Sequence, residues 1–219
     1  MKLTLLPLLL ILPLGAACGD TSTTGIGLEF SPYVDGGASN LLILGPAFEV
    51  TRFEVLVREI KVLPDDTTDA TKYKAKGQFY VNVLDPTANT TPIYDLSAGT
   101  YKKVEFKFDT PDTGTGLLPA NSAIVLEATI DGVDVQYLAT KLDKVTLRDV
   151  SGIPLGAGDV DYFLVDLDII GWFGGVDVTT LALTDGVAVI DNKGANKDAW
   201  NAITENIKTE IKMLRKPQK

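Results

Sequence analysis

Lys102 to Asp109 alternates without a break. Val104, Phe106 and Phe108 point one way, and Lys103, Glu105 and Lys107 point the other. A period of two is the signature of an extended strand with one face in a core and one in water. The same period dominates from Leu28 onward, between clusters of Gly, Pro, Asp, Asn and Thr. Phe48 to Leu63 changes phase: Phe53, Val55 and Val57 share one parity, then Ile60 and Val62 take the other. A bulge near Arg58-Glu59 reconciles them. Ser122 to Ile130 alternates, Asp131-Gly132 follows, and Val133 to Thr140 resumes. Asp-Gly between two alternating runs predicts a hairpin, since both central residues of a type I′ turn need positive φ. Val160 to Ile170 is apolar on both parities and reads as a central strand covered on both faces. Gln78 to Leu84, Val145 to Arg148 and Val187 to Ile190 complete the expected strands.

One segment departs from this period. Asn196 to Arg215 carries Trp200, Ile203, Ile207, Ile211 and Leu214 at spacings of three and four. That predicts one amphipathic helix over 196–215, with Asn196 as N-cap and Lys212, Arg215 and Lys216 at the negative end of its dipole. Long loops are expected over 64–77, 85–92 and 110–121. The fold expected is mainly β: a single antiparallel β-sandwich, Ig-like or prealbumin-like, over 28–216, with one C-terminal helix.

The N-terminus carries a different kind of signal. Lys2 precedes an apolar run from Leu3 to Leu14, and small residues Gly15-Ala16-Ala17 lead to Cys18. The run is too short for a bilayer span and is interrupted by Pro7 and Pro13, which predicts a secretory leader over 1–17. Its end resembles the lipobox of bacterial lipoproteins, with Gly15 where a Leu is usual. That resemblance implies that Cys18 is acylated and becomes the mature N-terminus. Residues 18–27 then read as a flexible tether. Membrane attachment would come from acyl chains, each buried methylene contributing about 0.8 kcal/mol. Gly19, not Asp, follows the cysteine, which points to the outer membrane of a bacterial envelope.

Composition removes several chemistries. The formal net charge is −9, and loss of Lys2 with the leader makes the mature chain more acidic still. An acidic surface argues against nucleic acid and against tight adsorption on anionic lipid headgroups. There is no histidine, and Cys18 is the single cysteine. Histidine bases, histidine-ligated metals and, with Cys18 acylated, thiol nucleophiles are excluded.

Leu96-Ser97-Ala98-Gly99-Thr100-Tyr101 resembles the L-x-[AP]-G-x-Y turn of prealbumin-like β-sandwich modules. In those modules the Gly makes the turn and the Tyr starts the next strand pointing inward. The preceding FEVTRFEVLVREIKVLP and GQFYVNVLD runs resemble those of a family of uncharacterised bacterial lipoproteins with such a carbohydrate-binding-like domain. The resemblance implies location and fold, over roughly 48–131, and supplies no substrate or catalytic residue.

Three constellations remain. Asp166 and Asp168 at period two would share a strand face, and paired carboxylates about 5 to 9 Å apart serve glycoside hydrolysis; the same acids could instead cap a strand end. Trp172 and Phe173, set among Gly171, Gly174 and Gly175, would stack on a sugar ring if exposed, or plug one end of the sandwich if buried. Asp109 and Asp112, in a Gly/Thr-rich loop, could bend oxygens around Ca²⁺, and the Asp131 to Asp134 turn could contribute to a second such site; turn chemistry explains both equally. No other cofactor is expected. The sequence thus reads as a non-enzymatic envelope lipoprotein that binds a polysaccharide or an envelope protein. A carbohydrate hydrolase using the acid pair and a calcium-dependent adhesin stay open.

Overall fold

The computed structural model describes residues 24–32, 42–45, 47–64, 73–85, 87–91, 94–110, 118–119 and 122–215. The strands are β1 (Gly25–Pro32), β2 (Leu42–Gly45), β3 (Phe48–Pro64), β4 (Tyr73–Asn82), β5 (Tyr94–Asp95), β6 (Gly99–Asp109), β7 (Ile124–Ile130), β8 (Val133–Ala139), β9 (Lys141–Leu155) and β10 (Val160–Leu167). A short helix α1 (Ile169–Trp172) follows, then β11 (Val187–Ile190), α2 (Lys197–Glu210) and β12 (Ile211–Arg215).

Among the described residues these form a small sheet in the order β12-β10-β1-β5 and a larger one built around β3. β3 is the spine of the larger sheet. Its first half pairs with β2 and β7, and its second half with β4 and β6. Two leaves result: β2-β3-β7-β8-β11 and β4-β3-β6-β9. The register of β3 slips between Val57 and Glu59 against both β4 and β6, which is the bulge expected at Arg58-Glu59. That slip lets Phe53, Val55 and Val57 face the core together with Ile60 and Val62.

The two sheets close over one core. Phe30, Phe53, Phe106, Phe108 and Phe163 are all fully or almost fully buried within it. Phe106 meets Phe108 edge-on at 5.2 Å, a geometry aromatic rings prefer to a face-to-face stack. Asp131 (φ 50) and Gly132 (φ 78) make the tight β7–β8 hairpin. Tyr101 is buried near the start of β6, and its hydroxyl donates to the Ser97 carbonyl at 2.7 Å. The sandwich with a C-terminal helix is therefore as expected.

Several details differ. β1 pairs with β10 in parallel, and β11 with β8 in parallel, so the sandwich is not purely antiparallel. β1 begins at Gly25, inside the expected tether. Gly27 is needed there: a Cβ would lie 2.5 Å from Cε1 of the Tyr162 ring. β10 ends at Leu167, before the expected Ile170. Leu164 is half-buried, not a core residue, whereas Glu105 on the outer face is 7% exposed. The expected loop over 64–77 is shorter, because β4 already starts at Tyr73.

The C-terminal helix is also shorter than its apolar stripe. α2 stops at Glu210, and Ile211 turns extended (φ −87, ψ 123). Residues 211–215 run as β12 against β10, where strand pairing satisfies backbone groups that an open β10 edge would leave to water. Asn196 stands at the N-cap position without capping. Its amide instead accepts from Ala182 N and donates to the Ala182 and Val189 carbonyls, tying the 182 loop to β11.

Candidate functional site

The acid pair does not form. Asp166 is on β10, 5% exposed, with Ser31 of β1 and Lys212 of β12 as its register partners. Asp168 lies beyond the strand, at the N-cap of α1, where its Oδ1 accepts from Gly171 N at 2.9 Å. β10 ends between them, so period-two spacing no longer places their side chains on one strand face.

Trp172 and Phe173 are 1% and 7% exposed. Trp172 stands edge-on to Phe53 at 5.3 Å, and Phe173 edge-on to Phe48 at 5.7 Å. Asn206 of α2 donates to the Trp172 and Gly174 carbonyls and holds this turn in place. The aromatics plug the sandwich and are closed to a sugar ring. Their burial follows from apolar area, each ring removing on the order of 150 to 250 Å² from water.

Asp109 closes β6, with its Oδ1 accepting from Thr110 N at 2.9 Å. Asp112 and Cys18 lie outside the described residues. Asp134 accepts from Thr129 Oγ1 across the hairpin. Among the described residues no group of three or more His, Cys, Asp or Glu side chains is placed to hold a metal ion.

What the fold does assemble is a charged face on the outside of the β4-β3-β6-β9 leaf. Strand pairing sets Glu59 between Lys76 of β4 and Lys107 of β6, and Lys61 between Lys74 and Glu105. Lys103 lies opposite Arg148 on β9. Lys74 Nζ reaches Glu59 at 2.9 Å and Lys61 reaches it at 3.0 Å. Lys103 and Lys144 both bind Oε1 of Glu105. The hydrogen bond from Lys74 and the Lys61 ammonium bring the Glu59 carboxyl down to about 2, against the opposing effect of burial. Burial pushes Glu105 up, but the bonds from Lys103 and Lys144 outweigh it and hold that carboxyl below its ordinary value. Lys76 and Lys107 hold no ion pair among the described residues. Among the described side chains the face thus carries Lys61, Lys74, Lys76, Lys103, Lys107 and Lys144 against Glu59, Glu105 and Asp109, in a chain whose net charge is −9.

The other half of the outer surface has the opposite sign. Arg52 clamps Oε2 of Glu54 through Nε and NH2 at 2.8 and 2.7 Å, and reaches Glu127 at 3.2 Å. Tyr80 donates to Glu54, and burial first, then that acceptor, pushes its hydroxyl up to about 12. Glu49 and Asp134 add exposed acid on this half, so charge changes sign along β3. Only Lys103, Glu105 and Lys107 were legible in the sequence as an outward row. The remaining lysines sit on other strands, and pairing alone brings them together.

No family model matches the chain, and no curated protein does. Among solved structures, MbnP from Methylosinus trichosporium is similar at 11% identity and a TM-score of 0.47, covering 81% of this chain and 87% of that one. At that level of likeness no residue role passes from one chain to the other. Among the described residues no helix is long and apolar enough to cross a membrane.

Proposed function

We propose that the chain is a lipid-anchored protein of the bacterial cell envelope with a non-catalytic binding or structural role. The anchor is Cys18, at the end of the apolar leader, and the Gly19 that follows it favours the outer membrane. The folded part starts close behind it, with Thr24 already hydrogen-bonded to the sandwich. Its partner is a polysaccharide or another envelope protein.

The observation that carries the non-catalytic reading is the fate of the two acids. Asp166 is enclosed in the small sheet and Asp168 is engaged in a helix cap. A carboxylate pair acting on a glycosidic bond needs both groups free on opposite sides of one sugar. Metabolic labelling with a fatty acid tests the anchor. The wild type incorporates label and fractionates with membranes, and Cys18→Ala does neither. An unlabelled wild-type protein would overturn the lipoprotein reading.

A further inference from the structure

The basic face, on the outer side of the large sheet, begins at the end of the sandwich where β1 of the small sheet starts. Thr24 accepts from Gly158 N through its hydroxyl and from Leu96 N through its carbonyl. Both partners belong to the turn region where β9 has just ended, at Leu155, and β6 is about to begin, at Gly99, and those two residues are paired. β3 ends beside them, with Pro64 opposite Tyr101. Counting along β6 from Gly99, Lys103 is about 13 Å away and Lys107 about 26 Å. The residues from Cys18 to Thr24 span at most about 20 Å. Glu49 and Glu54, in the first half of β3, and Glu127 of the neighbouring β7 lie farther from that end. Along β3 and β6 the lysines lie nearer the anchor-side end than Glu49 and Glu54 do, and the exposed acids at that end, Asp95 and Asp159, flank Gly25 beside the small sheet.

We propose that this face rests on the anionic phospholipid headgroups of the membrane that holds the Cys18 anchor, and so fixes the orientation of the domain. The inference rests on the lipoprotein reading above. The net negative charge argues against adsorption of the chain as a whole, but not of this face. At physiological salt, screening acts over about 8 Å, so a headgroup feels the lysines beside it more than the acids at the far end. Juxtamembrane basic side chains and an acyl chain are complementary attachments, the first orienting what the second retains. The wide, flat face of a pleated sheet suits a planar surface. With this face down, the small sheet, on the other side of the core, is turned toward the envelope space.

The test uses the full acylated protein, reconstituted through its anchor into vesicles and labelled with a membrane-impermeant amine reagent. Vesicles of phosphatidylcholine alone are compared with vesicles that also contain phosphatidylglycerol. Exposed Lys193 and Lys197, remote from the face in sequence and register, serve as internal references. The expected result is that labelling of Lys74, Lys76, Lys103, Lys107 and Lys144 falls on the order of fivefold in the anionic vesicles only, and recovers at high salt. Lys76→Gln with Lys107→Gln should weaken that protection at the remaining lysines without changing the melting temperature. Equal labelling in both vesicles overturns the proposal, as does protection that appears only in native envelope, which would assign the face to another polyanion. Failure to enter vesicles at all, together with absence of fatty-acid label, overturns the anchor and the orientation with it. Entry without protection overturns the orientation alone.

Discussion

Phe30 of β1 and Phe106 of β6 meet edge to face across the two sheets, their centroids 5.9 Å apart and their planes at 77°. Both rings are fully buried. The contact joins the small sheet to the large one at the centre of the core. Phe106→Ala should therefore destabilise the domain by about 3 to 5 kcal/mol, the transfer loss plus the cavity it leaves. Denaturant unfolding measures this, and a loss below about 1 kcal/mol would show that the core does not depend on the contact.

The Glu59 carboxyl, ordinarily at 4.5, lies at about 2 in the folded protein. Its stabilising contribution is complete above the unfolded value and is lost as pH falls toward the folded one. Glu105 acts in the same direction. The melting temperature should fall on acidification below about pH 5, and Glu59→Gln should show a shallower fall. The pair is partly open to solvent, so the difference should stay within about 1 kcal/mol. Parallel acid titrations of the two proteins would refute this.

Asn196 satisfies one amide and two carbonyls of neighbouring segments while itself 6% exposed. Asn196→Ala should cost about 2 to 3 kcal/mol, because those groups lose their partners in a place water reaches poorly. Amide exchange read by mass spectrometry should speed up around Ala182 and Val189. Unchanged exchange there would mean that the 182 loop is held by other contacts.

Asp168→Ala removes the side-chain acceptor at the N-cap of α1 and should cost about 1 kcal/mol. Asp166→Asn with Asp168→Asn should lower the melting temperature. If that variant keeps its stability but abolishes cleavage of a polysaccharide by the purified protein, the non-catalytic reading fails.

Local chemistry in the sequence anticipates much of this fold. The phase change after Val57 marks the bulge, and Asp131-Gly132 marks the hairpin, because each depends only on neighbours along the chain. Partners are different. Nothing in Gly25 to Pro32 says that it runs parallel to a strand more than a hundred residues later. The stripe that includes Ile207, Ile211 and Leu214 fits a helix, yet Ile211 and Met213 also fit a strand, and the open edge of β10 decides between them. The charged face is hidden for the same reason. Lys61, Lys74, Lys103 and Lys144 belong to four separate strands, and each one alone reads as an ordinary solvated lysine.

The place of β1 also sets the order of events when the chain first folds. Gly25 emerges early from synthesis, but its neighbour Val160 is among the later residues to arrive. Until then β1 lacks the strand beside which it is buried. Contacts of such long range carry a high closure entropy and slow the search for the native state. A chain threaded across a membrane must stay extended until the passage is complete. On the route across a membrane proposed above, placing the first described strand beside one of the last would keep the domain from closing before the passage is complete.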